Sequence, residues 1–73
     1  MLRQAILQAL EDKYTAQISE ADATIKIYLD HSVGIGEHPG IIEEMDKLID
    51  NMESAKGRLE TLMTNFDDYR LRD

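Results

Sequence analysis

Apolar positions along the first thirty residues recur at helical spacing. Leu7, Leu10, Tyr14, Ile18, Ala21, Ile25, Tyr28 and Leu29 trace one stripe in steps of three and four, the repeat that places side chains on a single face of an α-helix. Two consecutive steps of four, around Gln17, move the stripe sideways as a stutter does in a heptad pattern. The second half is more regular. Ile41, Met45, Leu48, Met52, Ala55, Leu59, Leu62, Phe66 and Tyr69 alternate steps of four and three without a break, a heptad seam over about four repeats. The pattern predicts helices over residues 2–31 and 39–70, and no strand.

Between them lies DHSVGIGEHPGI, residues 30 to 41, with three of the four glycines, the only proline and both histidines. Each has a part in a turn over residues 32–38. Gly34 suits the left-handed conformation that ends a helix, and Gly36 is counted with it among the turn residues. Pro39 suits the first turn of the next helix, where its missing N–H is not needed. Its ring biases His38 away from helical geometry and marks it as the cap position. Val33 and Ile35 are expected to fold back over the end of the apolar seam.

Folding about residues 35 and 36 gives two arms of matched length. Tyr28 comes near Ile41, Ala21 near Leu48 and Met52, and Tyr14 near Ala55, so small side chains face large ones. The expected architecture is an all-α antiparallel hairpin in a single domain. Acid-first pairs four residues apart, Asp22–Lys26, Glu43–Lys47 and Asp68–Arg72, support the helices by about 0.2–0.5 kcal/mol each.

One hairpin leaves apolar positions over. Ile42, Ile49 and Met63 form a second line on the second helix, interrupted by Lys56, and Ile6 and Ile27 lie outside the first seam. Two helices cover one stripe each, while burying such side chains gains about 1.5–3 kcal/mol apiece. These five residues are therefore the expected self-association surface of a homodimer or higher oligomer, most simply a four-helix bundle. Gly57 sits on the outward side of the second helix, at a cost of about 1 kcal/mol against alanine. Either another chain approaches closely there or the position is unconstrained; the second reading is favoured.

Composition narrows the function classes. In 73 residues there is room for one small domain, and without cysteine there is neither a disulfide nor a thiolate ligand or nucleophile. Fifteen acidic against eight basic residues give a net charge of -7, which disfavours nucleic acid and anionic membranes as partners. Ten of the acids fall in residues 37 to 73 and read as solvated helix faces. No apolar run approaches a membrane span of about 20 residues, and MLRQAILQALEDK lacks the features of a signal peptide. A cytoplasmic location is expected.

Candidate chemistry is sparse. His31 and His38, with Asp30 and Glu37, carry metal-ligand atoms, but they straddle a turn at a spacing that matches no recognised ligand set. GIGEHPG has the glycines of a phosphate loop without its lysine or arginine, and acids follow it. Di-iron bundles need inward glutamates and Glu-x-x-His; that motif is missing, and no acid falls on either seam. Ser19, Ser32 and Ser54 have no histidine spaced to activate them. Met45, Met52 and Met63 could serve a pliable binding face, though gap filling explains them as well. The chain is expected to be no enzyme and to need no cofactor.

Over YLDHSVGIGEHPGIIEEMDKLIDNMESAKGRLETL the chain resembles small proteins of tailed bacteriophages, notably contractile-tailed phages of marine bacteria. They share a helix ending in an aliphatic-Tyr-Leu segment, a VG-x-GEHP turn and a second helix with a late basic-Leu-Glu-x-Leu segment. The likeness covers roughly residues 1 to 66, and GEHP at 36 to 39 is its most specific part. It implies a phage origin and a helical hairpin, and it supplies no catalytic residue. The functional expectation is a small structural or assembly protein. The rival is an acidic mimic of nucleic acid that inhibits a host DNA-binding protein, which would need carboxylates arrayed at phosphate-like spacing.

Overall fold

The computed structural model describes residues 2–31 and 40–66. They form two helices, α1 over Leu2–Asp30 and α2 over Ile41–Asn65. The continuous run of helix formers from Leu2, without glycine or proline, accounts for the length of α1. At its end the His31 N–H still donates to the Ile27 carbonyl at 3.1 Å. Gly34, Gly36, His38 and Pro39, the expected turn residues, lie outside the described residues.

The first bond of α2 runs from the Glu44 N–H to the Gly40 carbonyl at 2.9 Å, and Gly40 is the N-cap, with φ -105° and no side-chain cap bond. Among the described residues helical geometry begins at Ile41 behind the Gly40 cap; His38 and Pro39, the expected cap and first helical residue, lie outside them. Glycine is accepted at N-caps because it takes non-helical backbone at little cost. Glu43 and Glu44 occupy the first turn, where the helix dipole favours negative charge.

At its other end α2 closes at Asn65, and residues 67–70, into which its pattern was expected to run, lie outside the described residues. Phe66 is the C-cap, with φ -136° and its N–H on the Leu62 carbonyl at 2.9 Å. Two features of the sequence oppose continuation. The Asn65 amide donates to the Thr61 carbonyl at 2.9 Å, a local bond that competes with the helical ladder. Asp67 and Asp68 come next in the chain, and acids are unfavourable at a helix C-terminus. The last turn carries no basic residue to offset them.

The two helices lie antiparallel. Leu7 and Leu10, near the start of α1, line the same groove as Leu62 and Phe66 at the end of α2. Further along, Ala21 lines a groove with Leu48 and Ala55. Tyr14 shares the first groove with Ser54 and Arg58, on the turns either side of Ala55, the register expected for a fold about residues 35 and 36. The alternation of small against large relaxes at mid-length, where Ala21 and Ala55 border one groove.

Ala21 (4% exposed), Ala55 (1%) and Leu62 (5%) form the buried core of the described residues. The other seam positions from Leu7 to Tyr28 and from Ile41 to Leu59 are half-buried, as a two-rod arrangement requires. Leu29 and Phe66 depart from the expected seam and are exposed at 63% and 45%. For Leu29 the helical angle explains it: at 100° per residue it stands a full step past Tyr28, off the contact line.

The molecule is a rod of 51 × 18 × 15 Å with a radius of gyration of 16.2 Å, against about 11 Å for a compact domain of this length. Its accessible surface is 5563 Å², where a compact monomer of 8.4 kDa would show about 4600 Å².

Candidate self-association surface

The grooves define the two flanks of the hairpin. Gln17, Glu20 and Thr24 of α1 face Asn51, Ser54 and Arg58 of α2 across the groove floored by Ala21 and Ala55. Counting 100° per residue from Ala55, Asn51 and Arg58 lie on the groove flank of α2. Ile42, Ile49, Lys56 and Met63, seven residues apart, lie on the opposite flank. From Ala21 the same count puts Leu29 on that opposite flank, at the turn end, beside Ile42.

The five residues expected to mediate self-association therefore divide into two sets. Ile42 and Ile49 are exposed at 73% and 55%, and Met63, further along their line, is half-buried. Ile6 and Ile27 are exposed at 51% and 58%, but they fall on the groove flank, on the line that also carries Lys13 and Glu20. Twenty-one residues separate them along α1, about 31 Å at 1.5 Å per residue. The sequence reading treated all five as one surface. It also assigned Leu29 and Phe66 to the seam, where both are exposed. Leu29 stands a full step sideways from Tyr28, beside the Ile42 flank, while Phe66 stays at the end of the seam and lines the open-end groove.

Around Ile49 the surface is acidic. Asp46, Asp50 and Glu53, with Lys47, surround that isoleucine in a surface depression. Glu53 also reaches the open-end groove, which Arg3, Leu7, Leu10, Tyr14 and Gly57 help to line. At Gly57 an added Cβ would meet no atom within 4 Å, so nothing in the chain itself requires glycine there.

Polar side chains are satisfied locally. Asp22 and Lys26 pair at 2.9 Å on the surface of α1, as their spacing predicts. The Gln8 amide donates to Asp12 at 3.1 Å and the Thr24 hydroxyl to the Glu20 carbonyl at 2.9 Å. Among the described residues no buried side-chain nitrogen or oxygen lacks a hydrogen-bond partner, and no three His, Cys, Asp or Glu side chains gather in a metal-holding group. His31 is exposed, and His38 lies outside the described residues. Neither described helix is long and apolar enough to cross a membrane. The described surface carries an apolar line, Ile42, Ile49 and Met63, edged with charge. No family model, curated protein or solved structure matches this chain.

Proposed function

We propose that this chain is a non-enzymatic structural or assembly protein, phage-encoded and acting in the host cytoplasm, whose working unit is a homodimer: two hairpins forming a four-helix bundle. The observation that carries the reading is surface area. The hairpin exposes 5563 Å², about 950 Å² more than a compact monomer of its mass. A stable protein interface buries about 800 Å² per partner, so pairing two copies would remove the excess. Exposed large apolar side chains stand where that area could be covered: Leu29, Ile42 and Ile49. The phage assignment rests on the GEHP turn motif and the helix ends around it.

Sedimentation equilibrium at micromolar concentration tests the working unit. The expected result is twice the 8.4 kDa chain mass, with thermal unfolding that shifts upward as concentration rises. A species of single-chain mass at every concentration would refute it. The role is tested by affinity purification from infected cells at two salt concentrations. Salt-insensitive recovery of capsid or tail components supports assembly. Salt-sensitive recovery of a basic DNA-binding protein would replace it with the nucleic-acid mimic.

A further inference from the structure

Among the surfaces of the hairpin, the α2 flank is the one whose apolar and charged positions complement a second copy of themselves. Ile42 and Met63 lie equally far, in opposite senses, from the midpoint between Met52 and Glu53, and so do Ile49 and Lys56. Two such helices laid antiparallel about that midpoint set Ile42 against Met63 of the partner subunit and Ile49 against the partner's Lys56. The apparent flaw in the line, a lysine among isoleucines, then meets a stretch of it where Asp46, Asp50 and Glu53 outnumber Lys47. Ile49 sits among Asp46, Asp50 and Glu53, and the long aliphatic stem of lysine can cover an isoleucine while its ammonium reaches acids beyond.

We propose that the second copy docks along α2 in this antiparallel register, each Lys56 inserting between Asp46 and Glu53 of its partner. The proposal rests on the homodimer reading above and specifies its interface. Parallel pairing in register is disfavoured by the same residues. It would set Lys56 against the partner's Lys56, like charges that repel across an interface, whereas the antiparallel register places the two lysines seven residues apart. The antiparallel arrangement has two-fold symmetry, so the same patch serves both chains and the contact closes on itself. It also brings the exposed turn end of one protomer, Leu29 and Ile42, to the half-buried Met63 at the open end of the other, which covers Leu29, a residue that the intramolecular seam leaves out. Glu60, one turn beyond Lys56, approaches the partner's Asp46, and the lysine ammonium stands between them. The groove flank offers a poorer match: Ile6 and Ile27 are separated by Lys13 and Glu20 on their own line, and the groove beside them is walled with polar groups.

The chain has no cysteine, so single introduced thiols report on register in the full-length protein. Mild oxidation of an equimolar mixture of I42C and M63C is expected to give the mixed covalent dimer, with little cross-linking of either variant alone. K56E is expected to raise the dimer Kd at least tenfold with helix content unchanged by circular dichroism, and E53K added to K56E to recover most of that loss. Efficient 42–42 and 63–63 disulfides in a protein still dimeric by sedimentation would overturn the register and leave the homodimer standing. A sedimentation mass of one chain for the unmodified protein would overturn both.

Discussion

The two helices are close in length and differ in how their apolar residues are arranged. In α2 they gather on one side: a seam of unbroken four-three steps with a second line along one edge. In α1 they are spread around the axis, with exposed Leu2, Ile6 and Ile27 on one flank and Leu29 on the other. Burial follows the same division, with Ala55 and Leu62 buried in α2 and Ala21 in α1. A regular heptad keeps a helix in register with whatever it touches, whereas a stutter rotates the contact face partway along. The comparison teaches that α2 is the organising helix, with one face turned to α1 and a second apolar line exposed beside it, while α1 serves as its cover.

Five substitutions would break or sharpen that contrast. Leu62→Ala removes the one large side chain in the buried core and should destabilise the hairpin by about 2–5 kcal/mol, as for other buried leucines, measured by urea unfolding. An equal loss from Leu2→Ala, on an exposed residue of α1, would contradict the division. Ile49→Ser should weaken self-association by about 1.5–3 kcal/mol, the burial value of one isoleucine, while Ile6→Ser should change it by less than about 0.5 kcal/mol, the usual scale for surface positions. Comparable effects on dimer Kd would show that both flanks are used. Gly57→Ala should raise stability by about 0.5–1 kcal/mol through helix propensity alone, because an added Cβ meets open space. A drop in thermal midpoint, or a weaker dimer, would mean that another chain approaches that backbone.

Much of the fold was legible in the spacing of apolar residues. Period alone placed both helices, and the matched arm lengths gave the antiparallel register seen at Ala21 and Tyr14. Helix ends were harder to read. Pro39 and Asp68–Arg72 suggested a longer α2 and lie outside the described residues, within which Gly40 and Phe66 cap the helix; at the Phe66 end the Asn65–Thr61 bond competes with the ladder. The association surface was read as five leftover apolar residues without regard to side. Which flank each occupies depends on the angle to the contact line, and that line is fixed by the close approach at Ala21 and Ala55. Once it is known, the same sequence separates Ile6 and Ile27 from Ile42, Ile49 and Met63.

The 51 Å length of the rod has a consequence for how such a dimer could serve in an assembly. Head-to-tail overlap of two hairpins gives a strut whose tips are identical, each offering the bend of one chain beside the open end of the other. Anything that grips one tip is gripped again at the far tip, so the protein would act as a double-ended spacer. Its span is written in the number of helical turns, and each heptad inserted into both arms should lengthen it by about 10 Å.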